Sequence, residues 1–290
     1  MSARVLVWPV LALVFNAFTW GVSWWPFRQL EAQGLHPLWA TALIYLLAVL
    51  CISAWRPASW TQLIRAPALW VLVLASGTTN AAFNWGVTIG DVVRVVLLFY
   101  TMPLWAVLLA TLLLRERLTP LAALRVLLAL CGAAIVLWPA DGGLPLPRSL
   151  AEALGLLGGF AFALNNVMLR REAQRPELAR ALAMFLGGAV VSATLALLLG
   201  TQGLVRAPPA PAWPWVLGAL ALGLLFLLSN LTLQYGAARL SANITAVVMV
   251  TEVLFASVSA VWLGAGQLSL PLLVGGTLIV AAALLALWKR

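Results

Sequence analysis

The sequence predicts an all-α membrane protein of ten transmembrane helices arranged as two inverted five-helix repeats. Three observations predict it. First, 64% of the 290 residues are apolar and only 9% are charged, with a mean hydropathy of +1.04; a soluble domain carries about 25% charged residues. Second, the charges punctuate runs long enough to cross a bilayer: 23 residues without a charged side chain lie between Arg4 and Arg28, 25 between Arg65 and Asp91, and 20 between Arg94 and Arg115. A hydrocarbon core about 30 Å thick takes roughly 20 helical residues. Third, the chain partly repeats itself at an offset of 150 residues. This composition excludes a soluble globular domain and a disordered chain. It also excludes a nucleic-acid binder: the net charge is +9, but the 17 basic residues are scattered, with no basic cluster beside exposed aromatics.

The apolar runs are dominated by Leu, Ala and Val without alternation, the pattern of helices rather than of a transmembrane barrel. Helices are predicted over about 5–25, 36–55, 68–87, 92–113, 119–138, 150–169, 181–199, 212–235, 241–263 and 269–288. The first run is too long for a cleaved leader and meets Trp24-Trp25-Pro26 in place of a small-residue cleavage site, so it stays as the first helix. The run from Arg206 to Arg239 opens on Pro208, Pro209, Pro211 and Pro214 and holds one helix; the run after Arg239 is split at Gly264, Gly266 and Gln267. Asp141-Gly142-Gly143 with Pro145 and Pro147 marks the longest central loop, dividing an N-terminal unit, 1–140, from a C-terminal unit, 150–290.

Orientation follows from the basic residues. With both termini in the cytoplasm, twelve of them, Arg115, Arg117, Arg170 and Arg171 included, fall on the inner side, against four (Arg28, Arg94, Arg148 and Arg206) outside. That bias supports an even helix count and a multi-pass protein of the inner (plasma) membrane. Trp residues near the predicted ends read as an interfacial belt, and Cys51 and Cys131 as small buried apolar side chains.

At the offset of 150, Asn16 falls on Asn166, Asn80 on Asn230, Asn84 on Gln234, Gly86 on Gly236, Thr101 on Thr251 and Trp138 on Trp288. Five helices per copy, an odd number, turn the second copy upside down. Inverted repeats recur in secondary transporters, where exchanging the conformations of the halves changes the open side; the plain alternative is duplication for stability.

The sequence resembles the drug/metabolite transporter superfamily, specifically the EamA-type exporters. The likeness is carried by Pro103-Leu104-Trp105, by Leu114-Arg115-Glu116-Arg117-Leu118-Thr119-Pro120 and by Gly132 through Leu137. A second copy follows in Glu252 through Phe255, Gly266-Gln267-Leu268 and Gly275-Gly276-Thr277. The second copy departs from the pattern at Val253, where the family often has Pro, and at Gln267, where it often has Glu. The chain is similar to bacterial exporters of aromatic and other neutral amino acids. The resemblance implies export of small molecules.

Polar side chains are costly in a bilayer core and face other helices or water. Here they form stripes: Asn16 with Thr19 or Trp20 and Ser23, Ser76 with Asn80 and Asn84, Asn165 and Asn166 in the sixth helix, Asn230 with Gln234, and Ser241, Thr245, Met249 and Glu252 in the ninth. One reading brings these stripes to a central cavity. Amides would hold the ammonium and carboxylate of a zwitterion, while Trp20, Trp85, Tyr100, Trp105 and Met249 meet its apolar side chain. The plain alternative is interhelical hydrogen bonding, at about 0.6 kcal/mol each. The expected substrate-binding set is Asn16, Trp20, Asn80, Asn84, Tyr100, Asn165, Asn166, Asn230, Gln234 and Met249. Glu252 is the one acidic residue deep in a predicted span: either it binds protons and couples export to their gradient, or it is a structural hydrogen-bonding group. Pro103, inside the fourth helix, should kink it, either to gate or simply to bend. Gly155 and Gly159 signal close helix packing.

The sequence holds no GxxxxGK nucleotide loop, and its one histidine, His36, stands at a helix start. No catalytic residues, metal ligands or cofactor are therefore expected. The partners expected are a small-molecule substrate and the lipid bilayer, and a monomer suffices because both halves lie in one chain. A broad exporter of lipophilic drugs is the alternative, and an intramembrane enzyme the alternative of a different class.

Overall fold

The computed structural model describes residues 3–113, 115, 119–138, 144–237, 239 and 242–285. Among these the chain forms thirteen helices and no strand. In chain order they are α1 (Ala3–Val22), α2 (Trp24–Ala32), α3 (Pro37–Trp55), α4 (Ala58–Ile64), α5 (Pro67–Ile89), α6 (Val92–Phe99) and α7 (Met102–Leu113). They continue with α8 (Pro120–Leu137), α9 (Leu150–Arg171), α10 (Glu177–Thr201), α11 (Trp213–Ala237), α12 (Ala242–Trp262) and α13 (Leu270–Leu285). Among the described residues seven stretches are long and apolar enough to cross a membrane, α1 with α2 and α6 with α7 each counting as one. The pair α4 and α5, bent by 99°, makes an eighth; Thr251–Trp262 and Leu270–Ala282 are shorter apolar stretches. The protein is a multi-pass, all-helical membrane protein.

Helix starts obey local chemistry. Pro37, Pro67 and Pro120 open α3, α5 and α8, where a missing N–H is harmless. The Asp91 carboxylate accepts the Arg94 N–H at 2.9 Å, the Thr119 hydroxyl the Ala122 N–H at 3.2 Å, and the Ser149 hydroxyl the Glu152 N–H at 3.2 Å. Two predicted helices are each in two pieces. The first breaks at Ser23. The fourth breaks at Tyr100 and Thr101, a turn ahead of the kink expected at Pro103, which instead lies in the first turn of α7. Proline has no N–H to offer the Phe99 carbonyl, and that oxygen lies against Gly159 of α9, where a side chain would collide with it.

Packing relies on small residues, since lipid supplies no hydrophobic drive between helices. Helix α5 lies against α9 and α10, α3 against α10 and α11, α1 against α11 and α12, α8 against α13, and α9 against α6 and α7. Gly77 and Gly187 bring α5 and α10 to backbone contact; Gly132 and Gly275 do so for α8 and α13. Two large buried clusters dominate the interior, with two smaller ones beside them. One gathers Phe27, Tyr45, Leu69, Leu72, Leu182 and Phe226; the other gathers Val92, Leu98, Phe99, Val253, Ala260 and Ile279.

One end of the bundle is tied by polar groups. Arg94 donates to the Glu152 carboxylate at 2.6 Å and to the Val136 carbonyl, Arg28 donates to the Val87 and Gly90 carbonyls, and the Gln267 N–H donates to Asp91 at 3.1 Å. Glu152, in the first turn of α9, is buried in this network. Most tryptophans at helix ends are exposed, Trp8, Trp55, Trp138 and Trp213 among them, whereas Trp24 and Trp215 are buried. Cys51 and Cys131 are exposed, not buried as expected; in a chain bathed in lipid, a small thiol is as well placed outward as inward.

At the same end His36 caps α3, its Nδ1 accepting the Leu38 N–H at 3.2 Å, with Trp85 packed edge-on at 5.2 Å. Burial lowers its pKa from 6.5 to about 4. The unfolded chain therefore takes up the proton at higher pH than the folded one, and stability is lost as pH falls from about 6.5 to about 4. The melting temperature in detergent is expected to decline over that window. His36→Asn, which keeps a capping acceptor, should flatten the decline; equal slopes for the two proteins would assign it elsewhere.

Candidate functional site

A cavity of about 430 Å³ lies among α1, α3, α5, α6, α7 and α9 to α12. Its polar wall follows from helix periodicity. Asn16 and Trp20 sit one turn apart on α1, Ser76 and Asn80 one turn apart on α5, and Asn165 and Asn166 come from α9. From α11 and α12 come Asn230, Met249 and Glu252. Its apolar wall is aromatic. Trp20 stands 4.6 Å from Phe226 and 6.2 Å from Phe83, and Phe99 stands 4.9 Å from Phe83 and 5.3 Å from Phe162, all between ring centres. Beyond Phe99, toward the end tied by Arg94 and Glu152, the cluster of Val92, Leu98 and Ala260 fills the space.

The hydrogen bonds of the wall are specific. The Asn16 amide nitrogen donates to the Ser229 carbonyl at 2.8 Å and to its hydroxyl at 2.7 Å. The Asn80 nitrogen donates to the Ser76 carbonyl at 2.8 Å, and its oxygen accepts from the Tyr45 hydroxyl. A backbone carbonyl only accepts, so these bonds settle which end of each amide is nitrogen. Ser76 donates to the Met184 carbonyl at 3.1 Å, and the Tyr100 hydroxyl donates to Glu252 at 3.0 Å. Among the described residues, the oxygens of Asn16 and Asn165 are buried without a hydrogen-bond partner.

Of the expected set, Asn16, Trp20, Asn80 and Tyr100 line the cavity, as do Asn165, Asn166, Asn230 and Met249; Glu252 joins them. Asn84 does not. Each four-residue step turns a helix about 40°, which carries Asn84 round to α3, where its nitrogen donates to the Thr41 hydroxyl at 3.1 Å. Trp85 and Trp105 also stand apart, against His36 and Phe160. The side chains of Gln234 and Pro103 lie outside the described residues.

Several lining residues escaped the sequence reading: Tyr45, Thr79, Met102, Phe162, Phe185 and Phe226. Two carried a usable signal. Tyr45 puts a hydroxyl into an otherwise apolar run and so needs a partner, and Met102 stands 150 residues before Glu252. The phenylalanines had none, because in a membrane helix a ring facing lipid and a ring facing a cavity read alike.

Comparison with known proteins agrees with this architecture. Residues 7–138 match the EamA-like transporter family. One curated relative, the uncharacterized transporter PA0485 of Pseudomonas aeruginosa, is 38% identical over 116 residues, which span 38% of this chain and 39% of that protein. The chain therefore matches well under half of that relative's length. A solved structure described only as the crystal structure of a protein superimposes with a TM-score of 0.57 over 96% of both chains, at 20% identity, and so shares the fold. Residues 7–138 of this multi-pass membrane protein, a little under half of the chain, are thus similar to the EamA-like transporter family.

Proposed function

We propose that the chain is a secondary transporter that exports small neutral or zwitterionic metabolites, amino acids including aromatic ones, by alternating access around the cavity. The observation that carries this reading is the cavity itself. Its walls come from both halves, 1–140 and 150–290, and combine buried amides and a carboxylate for a polar group with rings for an apolar one. Reading α1 with α2, α4 with α5 and α6 with α7 as single spans would give ten crossings, five per half. Exchanging the halves span for span carries neighbours onto neighbours. The packing of α1 against α11 and α12 answers that of α9 against α5 and α6–α7; α3 against α11 answers α10 against α5; and α8–α13 and α3–α10 map onto themselves. Gly86, against α9, and Gly236, against α1, stand 150 residues apart. These symmetries support an inverted repeat, and with it an alternating mechanism. The basic residues favour an inner-membrane protein with cytoplasmic termini, and one polypeptide holds both halves, so a monomer suffices. Export is the direction of the family that the sequence resembles.

Counterflow in proteoliposomes tests the reading. Vesicles preloaded with an aromatic amino acid are expected to accumulate labelled amino acid, recovered chemically unchanged. No counterflow with any compound would overturn transport, and chemical alteration would favour an enzyme. Because the wall is so aromatic, lipophilic drugs are the second reading, and stronger counterflow with lipophilic cations would favour it. The same assay over a range of pH separates two roles for Glu252. An unchanged profile in Glu252→Gln would end proton coupling and leave Glu252 as a hydrogen-bond partner of Tyr100. Unaltered rates in Pro103→Ala would end a gating role there.

A further inference from the structure

The wall of the cavity is one-sided in both charge and hydrogen bonding. Glu252 is the one charged residue among its described lining, and no Lys, Arg or His joins it. Many of the donors are already engaged: the amide nitrogen of Asn16 donates to Ser229, that of Asn80 to Ser76, and the hydroxyls of Tyr45, Ser76, Thr79 and Tyr100 donate to protein acceptors. Some acceptors are not. The oxygens of Asn16 and Asn165 lack partners on side chains only 1% and 2% exposed, and Glu252, 8% exposed, receives one hydroxyl from Tyr100. Leaving buried amide oxygens without donors, and a carboxylate with a single one, is costly unless something that enters the cavity supplies more. A substrate carboxylate would meet a like charge at Glu252 and no cationic side chain in the described lining.

We propose that the cavity recognises the ammonium end of a primary amine with an aromatic or apolar body, and not a carboxylate. Glu252 provides the countercharge, the amide oxygens of Asn16 and Asn165 accept N–H groups, and Trp20, Phe162 and Phe226 pack the body and face the cation. Three N–H donors meet three waiting groups, the Glu252 carboxylate and two amide oxygens, so a primary ammonium fits better than a quaternary one, which has no N–H to give. An amino acid is then held by its amino end. The inference rests on the transporter reading for its biological meaning, but it is tested by equilibrium binding, which needs no transport.

Tryptamine, indole and 3-indolepropionate share one ring system and differ in charge. Binding of each to the purified full chain in detergent is expected to favour tryptamine over 3-indolepropionate by at least about tenfold, with the trimethylated quaternary analogue of tryptamine weaker than tryptamine. Glu252→Gln, of nearly the same shape, should cut tryptamine affinity by about tenfold or more and shrink its preference over indole, with its melting curve checked in parallel; Asn165→Leu should cut it severalfold. Equal binding of 3-indolepropionate and tryptamine, or undiminished tryptamine affinity in a folded Glu252→Gln protein, would overturn the proposal. The wild-type charge series decides the matter even if the variant does not fold. Glu252-dependent binding of tryptamine without movement across vesicles would count against transport alone. Counterflow of amino acids without any preference for the amine would count against this proposal alone.

Discussion

Gly187→Val is expected to leave little folded protein. A side chain at Gly187 would overlap the Val73 carbonyl oxygen and stand 2.9 Å from the Gly77 nitrogen, so α5 and α10 would have to separate along a main line of contact. The obstacle is backbone, which cannot rotate out of the way as a side chain does. The penalty should therefore exceed the roughly 1–3 kcal/mol usual for overpacking, a large share of the about 5–15 kcal/mol by which a typical soluble domain is stable. Size-exclusion profiles and melting curves in detergent would show loss of the monodisperse species. Gly218→Ala is the matched control, since its new methyl would meet only the tip of Leu30 at 3.3 Å. A Gly187→Val protein that elutes and melts like the parent would show that this close approach does not hold the bundle.

Phe99→Ala should have the largest effect on the cavity. Its ring is 7% exposed and touches those of Phe83, Tyr100 and Phe162 where the cavity meets the packed cluster of Val92, Leu98 and Ala260. Truncating a buried phenylalanine costs about 3–5 kcal/mol, so melting should fall clearly. The space left joins the cavity and thins its floor toward the end tied by Arg94 and Glu152. Preloaded vesicles carrying the variant are expected to lose substrate without any exchange partner. Tight vesicles and wild-type counterflow would remove Phe99 from the barrier.

Much of this was legible before any coordinates. Charge-free runs give away membrane helices because an ionised group in hydrocarbon is so costly, and that logic placed a helix in every stretch named. Asn16, Asn80, Asn165 and Asn230 were legible for a related reason: an amide in an apolar run must find a partner or a cavity. Where the reading slipped, the cause was angular or local. Asn84 shares a stripe with Asn80, yet the slow drift of a helix turns it to Thr41. The break in the fourth span fell at Tyr100 and Thr101 because proline accepts the first turn of a helix readily.

From sequence alone came the membrane class, the helices, the polar stripes and the lone deep carboxylate, since all of these depend on the price of polarity in lipid, which each residue carries wherever it sits. Only the assembled bundle decided which amide hydrogens are already used, which oxygens are left waiting, which phenylalanines wall the cavity and which glycines admit a neighbouring backbone. Those depend on what stands opposite each residue across a helix interface, and the nearest partner there is often more than 100 residues away along the chain, as Asn16 is from Ser229.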